Sequence, residues 1–125
     1  MANKPSAEKT LLVISAPHFY NQLKKLLPSE KECCGLTLSN AAKLPAPNAA
    51  VPAALILDIT LKNALEICHK AKSDPRLCEI PLLALLPTDS SSDIRTNALL
   101  SGADMLAEMP YASGEEIFVK LAYLL

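Results

Sequence analysis

Three apolar residues run directly into a carboxylate at Leu55-Ile56-Leu57-Asp58, the stretch of the chain with the clearest chemical meaning. A buried parallel strand has this continuous apolar pattern, and open α/β sheets place functional groups at the carboxyl ends of such strands. Two other apolar runs, residues 11–14 and 82–86, end in Ser15-Ala16-Pro17 and Pro87-Thr88 instead of carboxylates. Asp58 is therefore the first candidate for chemistry, and it stands nearly alone.

Cysteines and histidines are the other residues that could bind a metal ion; they are Cys33, Cys34, Cys68, Cys78, His18 and His69. No Cys-x-x-Cys pair is present, and adjacent cysteines are poorly placed to hold one ion together. Cys68 lies on the apolar face of a predicted helix, where a thiol packs as a small hydrophobic group. His18 could pair with Asp58 at the same sheet edge and replace a metal by an imidazolium. The alternative is an incidental exposed histidine.

The overall composition indicates one globular domain without a strong electrostatic field. The chain has 125 residues, half of them hydrophobic, and a formal net charge of −1, which suits a single core. No basic run exceeds Lys24-Lys25, so binding to a phosphate backbone is not expected. The apolar runs fall far short of the ~20 residues that a bilayer requires, and the start lacks a signal-peptide pattern. We expect a cytoplasmic protein that binds neither nucleic acid nor membrane.

Short apolar runs alternate with amphipathic segments, the pattern of repeated βαβ units. Predicted strands cover about residues 10–15, 35–38, 55–58, 82–86 and 104–107. Predicted helices cover about residues 18–27, 62–72 and 113–125, and a further helix follows the residues 89–92 and runs to about residue 100. The proline-rich stretch 41–52 cannot hold a regular helix, so a loop or a short helical turn should cross back there. We expect residues 1–9 to be disordered and residues 10–125 to form one domain.

Local signals mark several of these boundaries and faces. Residues 89–92 offer capping side chains for the third predicted helix, and Gly102 should close it in a left-handed conformation. Ser113 and Glu116 have the spacing of a capping box, which starts the last helix. Buried faces are predicted for the first two helices, at Phe19, Leu23, Leu26 and Leu27, and at Ala64, Ile67, Cys68 and Ala71.

Two segments of the chain resemble the receiver domain of two-component response regulators. Residues 64–86, ALEICHKAKSDPRLCEIPLLALL, resemble its third helix, its Asp-Pro-Arg turn and the Ile-Pro entry to its fourth strand. Residues 101–111, SGADMLAEMPY, resemble its Gly-Ala-Asp segment, its short fifth strand and its residue-Pro-aromatic ending. The resemblance implies a three-layer flavodoxin-like α/β fold, with a five-stranded parallel sheet of order 2-1-3-4-5 and a weak or shortened second helix.

The resemblance also assigns roles to single residues. Asp58 matches the phosphoacceptor aspartate of the family, while Pro110 and Tyr111 match its terminal proline and aromatic residue. Thr88 is the nearest match to its switch hydroxyl residue, although the position itself falls near residues 86–87. The peptide bond that joins Met109 to Pro110 is implied to be cis, as in the family.

The departures from the family pattern concern the residues that promote phosphorylation. The acidic pair after the first strand falls at Ser15 and Ala16, and the lysine before the proline falls at Met109. Phosphoryl transfer to a carboxylate brings two anions together, so the site must supply a divalent cation and a positive side chain. Each missing charge contact is worth about 3 kcal/mol, roughly a hundredfold in rate. We therefore predict a degenerate receiver that binds Mg²⁺ weakly or not at all.

Two alternatives for the carboxylate stay open. Asp58 could be structural and cap the following turn by accepting backbone N–H bonds from Thr60 or Leu61. Alternatively, the domain could be a working phosphoacceptor whose atypical metal site uses Asp58, Asp89 and backbone carbonyls. An enzyme of flavodoxin-like fold is not expected, because the chain has only three glycines, no phosphate-binding loop and no nucleophile beside a base.

The last predicted helix suggests how such a module would act. It is apolar on nearly all sides, and a helix of that kind is normally covered by something. We expect Val119, Ala122 and Tyr123 to form a contact surface for a second copy or for a partner; the alternative is that the helix merely fills the edge of the core. The sequence thus predicts a signalling module that acts through protein-protein interaction, with a histidine kinase or an output domain as the partner.

Overall fold

Five strands and three helices build the part of the chain that the structure, a computed structural model, describes: residues 10–26, 37–45, 51–87 and 90–109. The strands are β1 (Thr10–Ile14), β2 (Thr37–Ala41), β3 (Ala54–Asp58), β4 (Leu82–Pro87) and β5 (Met105–Met109). The helices are α1 (Pro17–Leu26), α2 (Ala64–Ser73) and α3 (Ser92–Leu100). None of these helices is long and apolar enough to cross a membrane.

All strand pairs are parallel, and the sheet has the order β2-β1-β3-β4-β5. The predicted flavodoxin-like arrangement is therefore confirmed. Every residue of β3 is buried, because this strand lies at the centre of the sheet with apolar clusters on both faces. One cluster includes Leu23 of α1, and the other includes the apolar face of α2. This layering brings the carboxyl ends of β1, β3, β4 and β5 to one edge.

Several helix boundaries and a buried helix face lie where the local sequence signals predict them. The buried residues of α2 are the four predicted, Ala64, Ile67, Cys68 and Ala71. Ser91 caps α3 by accepting the N–H of Ile94, and Gly102 follows the helix at a φ of 118°. That backbone conformation favours glycine because it has no Cβ. Asp74 ends α2 in an extended conformation, as expected for a residue that precedes a proline.

The second strand extends further than its prediction. β2 (Thr37–Ala41) includes Ser39 and Asn40, whereas the alternating pattern predicts an end at residue 38; residues 35–36 of that prediction lie outside the described residues. The described residues that flank the proline-rich crossover, 42–45 and 51–53, contain no helix. The N-terminal segment 1–9, the side chains of Leu26 and Leu27, and the last predicted helix lie outside the described residues.

Lys72 joins several elements at the amino-terminal edge of the sheet. Its ammonium group donates to Asp104 Oδ2 at 2.7 Å and to the carbonyl oxygen of Ile80 at 2.9 Å. The same Oδ2 accepts the N–H of Leu82 at 2.8 Å. The aliphatic stem covers Gly102, where an added Cβ would lie 2.4 Å from Lys72 Cγ. One side chain thus connects the end of α2 with the starts of β4 and β5.

Replacement of Lys72 should therefore destabilise the domain. In Lys72→Met the stem remains and Asp104 Oδ2 keeps the N–H of Leu82, but Asp104 and the Ile80 carbonyl lose the ammonium donor, which should lower the free energy of unfolding by about 1–3 kcal/mol. Urea denaturation would measure this change. Lys70→Met is the matched control, since Lys70 forms only an exposed pair with Glu66, worth under about 1 kcal/mol. Equal losses for the two variants would contradict the role given to Lys72.

Candidate functional site

Asp58 ends the central strand, as the sequence predicts, but its side chain is deeply buried. Only 3% of the residue is exposed, and its register partner on β4 is Leu85. The carboxyl end of β1 lies on one side of it, and the carboxyl end of β4 lies on the other. The residue next along β4, Leu86, is buried and apolar, so no hydroxyl group stands at that position.

A tight turn occupies one oxygen of this carboxylate. Asp58 Oδ1 accepts the backbone N–H of Thr60 at 2.9 Å and its hydroxyl at 2.7 Å. The backbone carbonyl of Asp58 accepts the N–H of Leu61 at 3.2 Å. Aspartate commonly stabilises a turn by bonding to the backbone two residues on, and the predicted Thr60 bond is present. Among the described residues, no donor reaches the second oxygen, Oδ2.

The carboxyl end of β1 carries a neutral hydrogen-bonded group. Ser15 is 1% exposed, and its hydroxyl donates to the carbonyl of Ala16 at 2.9 Å. The Asn40 side-chain nitrogen donates to the carbonyl of Val13 at 2.9 Å and lies 3.2 Å from Ser15 Oγ and 3.3 Å from the Ser15 carbonyl. The Asn40 amide therefore lies within hydrogen-bond distance of both oxygens of Ser15, the residue where the resemblance places the first member of an acidic pair.

Asn40 is the site residue that the sequence analysis missed. A polar pair, Ser39-Asn40, after an alternating stretch looks like the beginning of a loop. The structure instead keeps Asn40 within β2, opposite Val13 of β1. Only the register of two parallel strands brings this amide to Ser15, and sequence spacing does not reveal a register of that kind.

The proposed pairing of His18 with Asp58 is wrong for this structure. His18 is exposed at the start of α1, whereas Asp58 is buried, and no ion pair joins them. No described lysine or arginine forms an ion pair with Asp58 either. Arg95 of α3 forms an ion pair with Glu108 of β5 instead.

The structure describes only some of the remaining predicted site residues. Met109 is the last residue of β5 and lies opposite Pro87 of β4, and Ala16 is exposed beside Ser15. The side chain of Met109, the bond that joins it to the next residue, and four further predicted residues lie outside the described part of the chain; these are Thr88, Asp89, Pro110 and Tyr111.

The donor set at this edge fits a magnesium ion poorly. Mg²⁺ prefers near-octahedral oxygen coordination and is usually held by carboxylates. Within residues 10–26, 37–45, 51–87 and 90–109, no three histidine, cysteine, aspartate or glutamate side chains group closely enough to hold a metal ion. Asp58 is the one described carboxylate at the ends of β1 and β3, and the oxygens of Ser15 already accept from Asn40.

The described cysteines behave as packing residues or stand free on the surface. Cys68 is fully buried, and its Sγ lies 4.0 Å from the carbonyl oxygen of Ala98 on α3. Burial raises the pKa of the Cys68 thiol, which the positive charge of Lys72 only partly offsets. A protonated buried thiol is a poor nucleophile and a poor metal ligand. Cys78 is exposed and free, and Cys33 and Cys34 lie outside the described residues.

Two Thr60 variants test whether the hydrogen bond from the Thr60 hydroxyl to Asp58, and not the packing of the side chain, stabilises the domain. Thr60→Val removes the hydroxyl bond to the buried carboxylate and should lower the free energy of unfolding by about 1–2 kcal/mol. Thr60→Ser keeps the hydroxyl and should stay within about 0.5 kcal/mol of the wild type. Chemical denaturation of the three proteins measures both values. If valine is tolerated as well as serine, the hydroxyl bond does not hold Asp58.

Solved structures of receiver domains resemble more than nine-tenths of this chain, although no family model and no curated protein matches its sequence. A response regulator of Chloroflexus aurantiacus superposes with a TM-score of 0.77 at 20% identity, covering 92% of this chain and 95% of its own. For the chemotaxis response regulator CheY4 of Vibrio cholerae the TM-score is 0.72 at 18% identity, with 93% and 97% covered.

A third similar structure is the signal receiver domain of a signal transduction histidine kinase from Syntrophus aciditrophicus. Its TM-score is 0.71 at 20% identity, and the match covers 93% of this chain and 89% of that one. The strand order, the central strand that ends in Asp58 and these superpositions all agree with the resemblance seen in the sequence. The chain has the receiver-domain fold of two-component response regulators.

Proposed function

We propose that this domain is a receiver-like signalling module that acts by binding a protein partner, without Mg²⁺-dependent phosphorylation of Asp58 and without enzymatic activity of its own. The observation that carries the proposal is the neutral group formed by Ser15 and Asn40 at the end of β1. It stands where a phosphorylatable receiver needs anionic metal ligands.

The chemistry of that group opposes metal binding. An amide nitrogen only donates hydrogen bonds, and here it donates to the oxygens that a cation would need at the end of β1. A divalent ion would have to displace these bonds and would find one carboxylate, Asp58, with an oxygen already engaged by Thr60. The missing positive side chain at Met109 removes a second source of charge neutralisation.

A module of this kind would transmit its signal by binding a protein partner. One of the similar structures is the receiver domain of a histidine kinase, and another is the receiver domain of a DNA-binding response regulator. We therefore propose a histidine kinase or an output domain as the partner. The predicted contact surface at Val119, Ala122 and Tyr123, and a homodimer formed through it, lie outside the described residues and stay predictions.

A working phosphoacceptor is the second candidate, and one observation favours it. Oδ2 of Asp58 has no hydrogen-bond donor among the described residues, so no such bond to them would have to break before this oxygen attacks a phosphoryl group. Such a site would need an atypical metal site completed by Asp89, which the described residues do not include. A phosphate donor assay read by intact mass distinguishes the two candidates directly.

Metal and phosphoryl-analogue titrations provide the first test of the proposal. Millimolar Mg²⁺ followed by beryllofluoride should leave the amide NMR spectrum essentially unchanged, because Ser15 and Ala16 supply no carboxylate. A phosphorylatable receiver of known activity, treated in parallel, should show saturable shifts. Saturable shifts clustered around Asp58 in this domain would refute the proposal in favour of the second candidate.

Restoration of the acidic pair provides the second test. The double variant Ser15→Asp, Ala16→Asp should gain Mg²⁺ binding in the millimolar range, because it places carboxylates beside Asp58. The matched control Ser15→Asn, Ala16→Asn has nearly the same shape without the charge and should gain none. Isothermal titration calorimetry measures both. If the folded aspartate variant binds no more metal than the control, the assignment of these positions to the acidic pair fails.

A further inference from the structure

An apolar groove lies between α2 and α3 on the side of the sheet edge that carries Asp58. The two helices contact each other where Cys68 meets Ala98, and their first turns border an open volume of about 790 Å³. The apolar residues that line it are Ile59, Leu61, Ala64, Leu65, Pro87 and Ile94. Leu65 is 39% exposed and Ile94 is 41% exposed, so both rims present large hydrophobic side chains to solvent.

Within the described part of the chain, the groove also carries a positive charge that has no ion-pair partner. Its charged lining residues are Lys62 and Glu66. Glu66 is paired with Lys70 at 3.2 Å, whereas Lys62 has no ion pair among the described residues. Asn63, which precedes α2, makes no side-chain capping bond to the helix. The N–H of Ala64 donates to the carbonyl of Leu61 at 3.1 Å. The start of a helix carries partial positive charge, and α2 begins two residues after Lys62.

We propose that this groove docks an amphipathic helix of a partner protein, one with an apolar stripe and an acidic residue that meets Lys62. A stripe of residues spaced i, i+4 and i+7 fits a long groove between two helices, and the acidic residue complements the charge at its end. A second copy of this domain would offer the same patch with the same sign of charge, so it lacks that complement. The inference rests on the proposed function and names the chemistry of the partner.

The position of the groove couples it to the candidate site. Ile59, Thr60 and Leu61 line the groove, and they directly follow Asp58. Thr60 donates two hydrogen bonds to the Asp58 carboxylate, and Leu61 donates one to its backbone carbonyl. A helix that packs on these residues would therefore contact the same turn that holds the carboxylate.

Two synthetic helical peptides test the proposal on the whole chain. They share leucines at i, i+4 and i+7 and differ only in carrying glutamates or lysines beside the stripe. In ¹⁵N NMR titrations the acidic peptide should shift the amides of residues 59–66 and 90–97 and should bind at least about tenfold more tightly than the basic one. No saturable shift with either peptide, or equal binding of both, would overturn the proposal.

Substitutions of the residues that line the groove test where the peptides bind. Ile94→Glu should weaken the acidic peptide about tenfold or more, and Lys62→Glu should reverse the preference between the peptides. Leu100→Glu is the matched control, because Leu100 is 79% exposed on the same helix and does not line the groove; it should change nothing. If Leu100→Glu acts like Ile94→Glu, or if these amides shift with protein concentration alone, a different surface or self-association explains the data.

The two proposals can fail separately. Peptide binding that persists while beryllofluoride also binds would leave the groove assigned and would remove the non-phosphorylated function. Absence of peptide binding together with absence of metal binding would remove the groove and would leave the function standing. Circular dichroism of each variant verifies that the fold is kept, and the titration of the unmodified chain decides the matter even if a variant does not fold.

Discussion

The arrangement of this domain depends on a carboxylate that lies almost completely buried at the end of its central strand. Burial of a charge costs several kcal/mol unless hydrogen bonds compensate for it. Thr60 supplies two such bonds to Asp58 from its backbone and its side chain. The turn that results determines where the chain leaves β3 and where α2 can begin. The turn at Thr60 therefore belongs both to the candidate site, where it bonds to Asp58, and to the neighbouring groove, which it lines.

The opposite end of α2 is held by a different kind of interaction. Lys72 reaches the carbonyl of Ile80 and the carboxylate of Asp104, and its stem packs over Gly102. This cluster fastens the last turn of α2 to β4 and β5. The first turn of α2 has fewer such bonds, since Asn63 makes no capping bond.

Features that depend on local pattern were predictable from the sequence, and features that depend on register were not. The apolar run that ends in Asp58, the buried face of α2 and the glycine after α3 follow from periodicity and backbone preference. Asn40 was missed because its role exists only when β2 pairs with β1 in one particular register. His18 was predicted to contact Asp58 because both lie near one sheet edge, but helix direction leaves that side chain in solvent.

The residues at the carboxyl end of β1 and the buried Asp58 are physically consistent with one another. Two carboxylates that share a pocket without a cation repel each other, and one of them must become protonated or move away. When no cation is bound, a neutral group beside Asp58 is therefore more stable than a second carboxylate. Ser15 supplies that group, and its burial requires that its oxygens be hydrogen-bonded. Asn40 satisfies them from the adjacent strand. Ser15 and Asn40 thus depend on each other. An acidic residue at position 15 would need either a cation or the Asn40 amide to stabilise its charge.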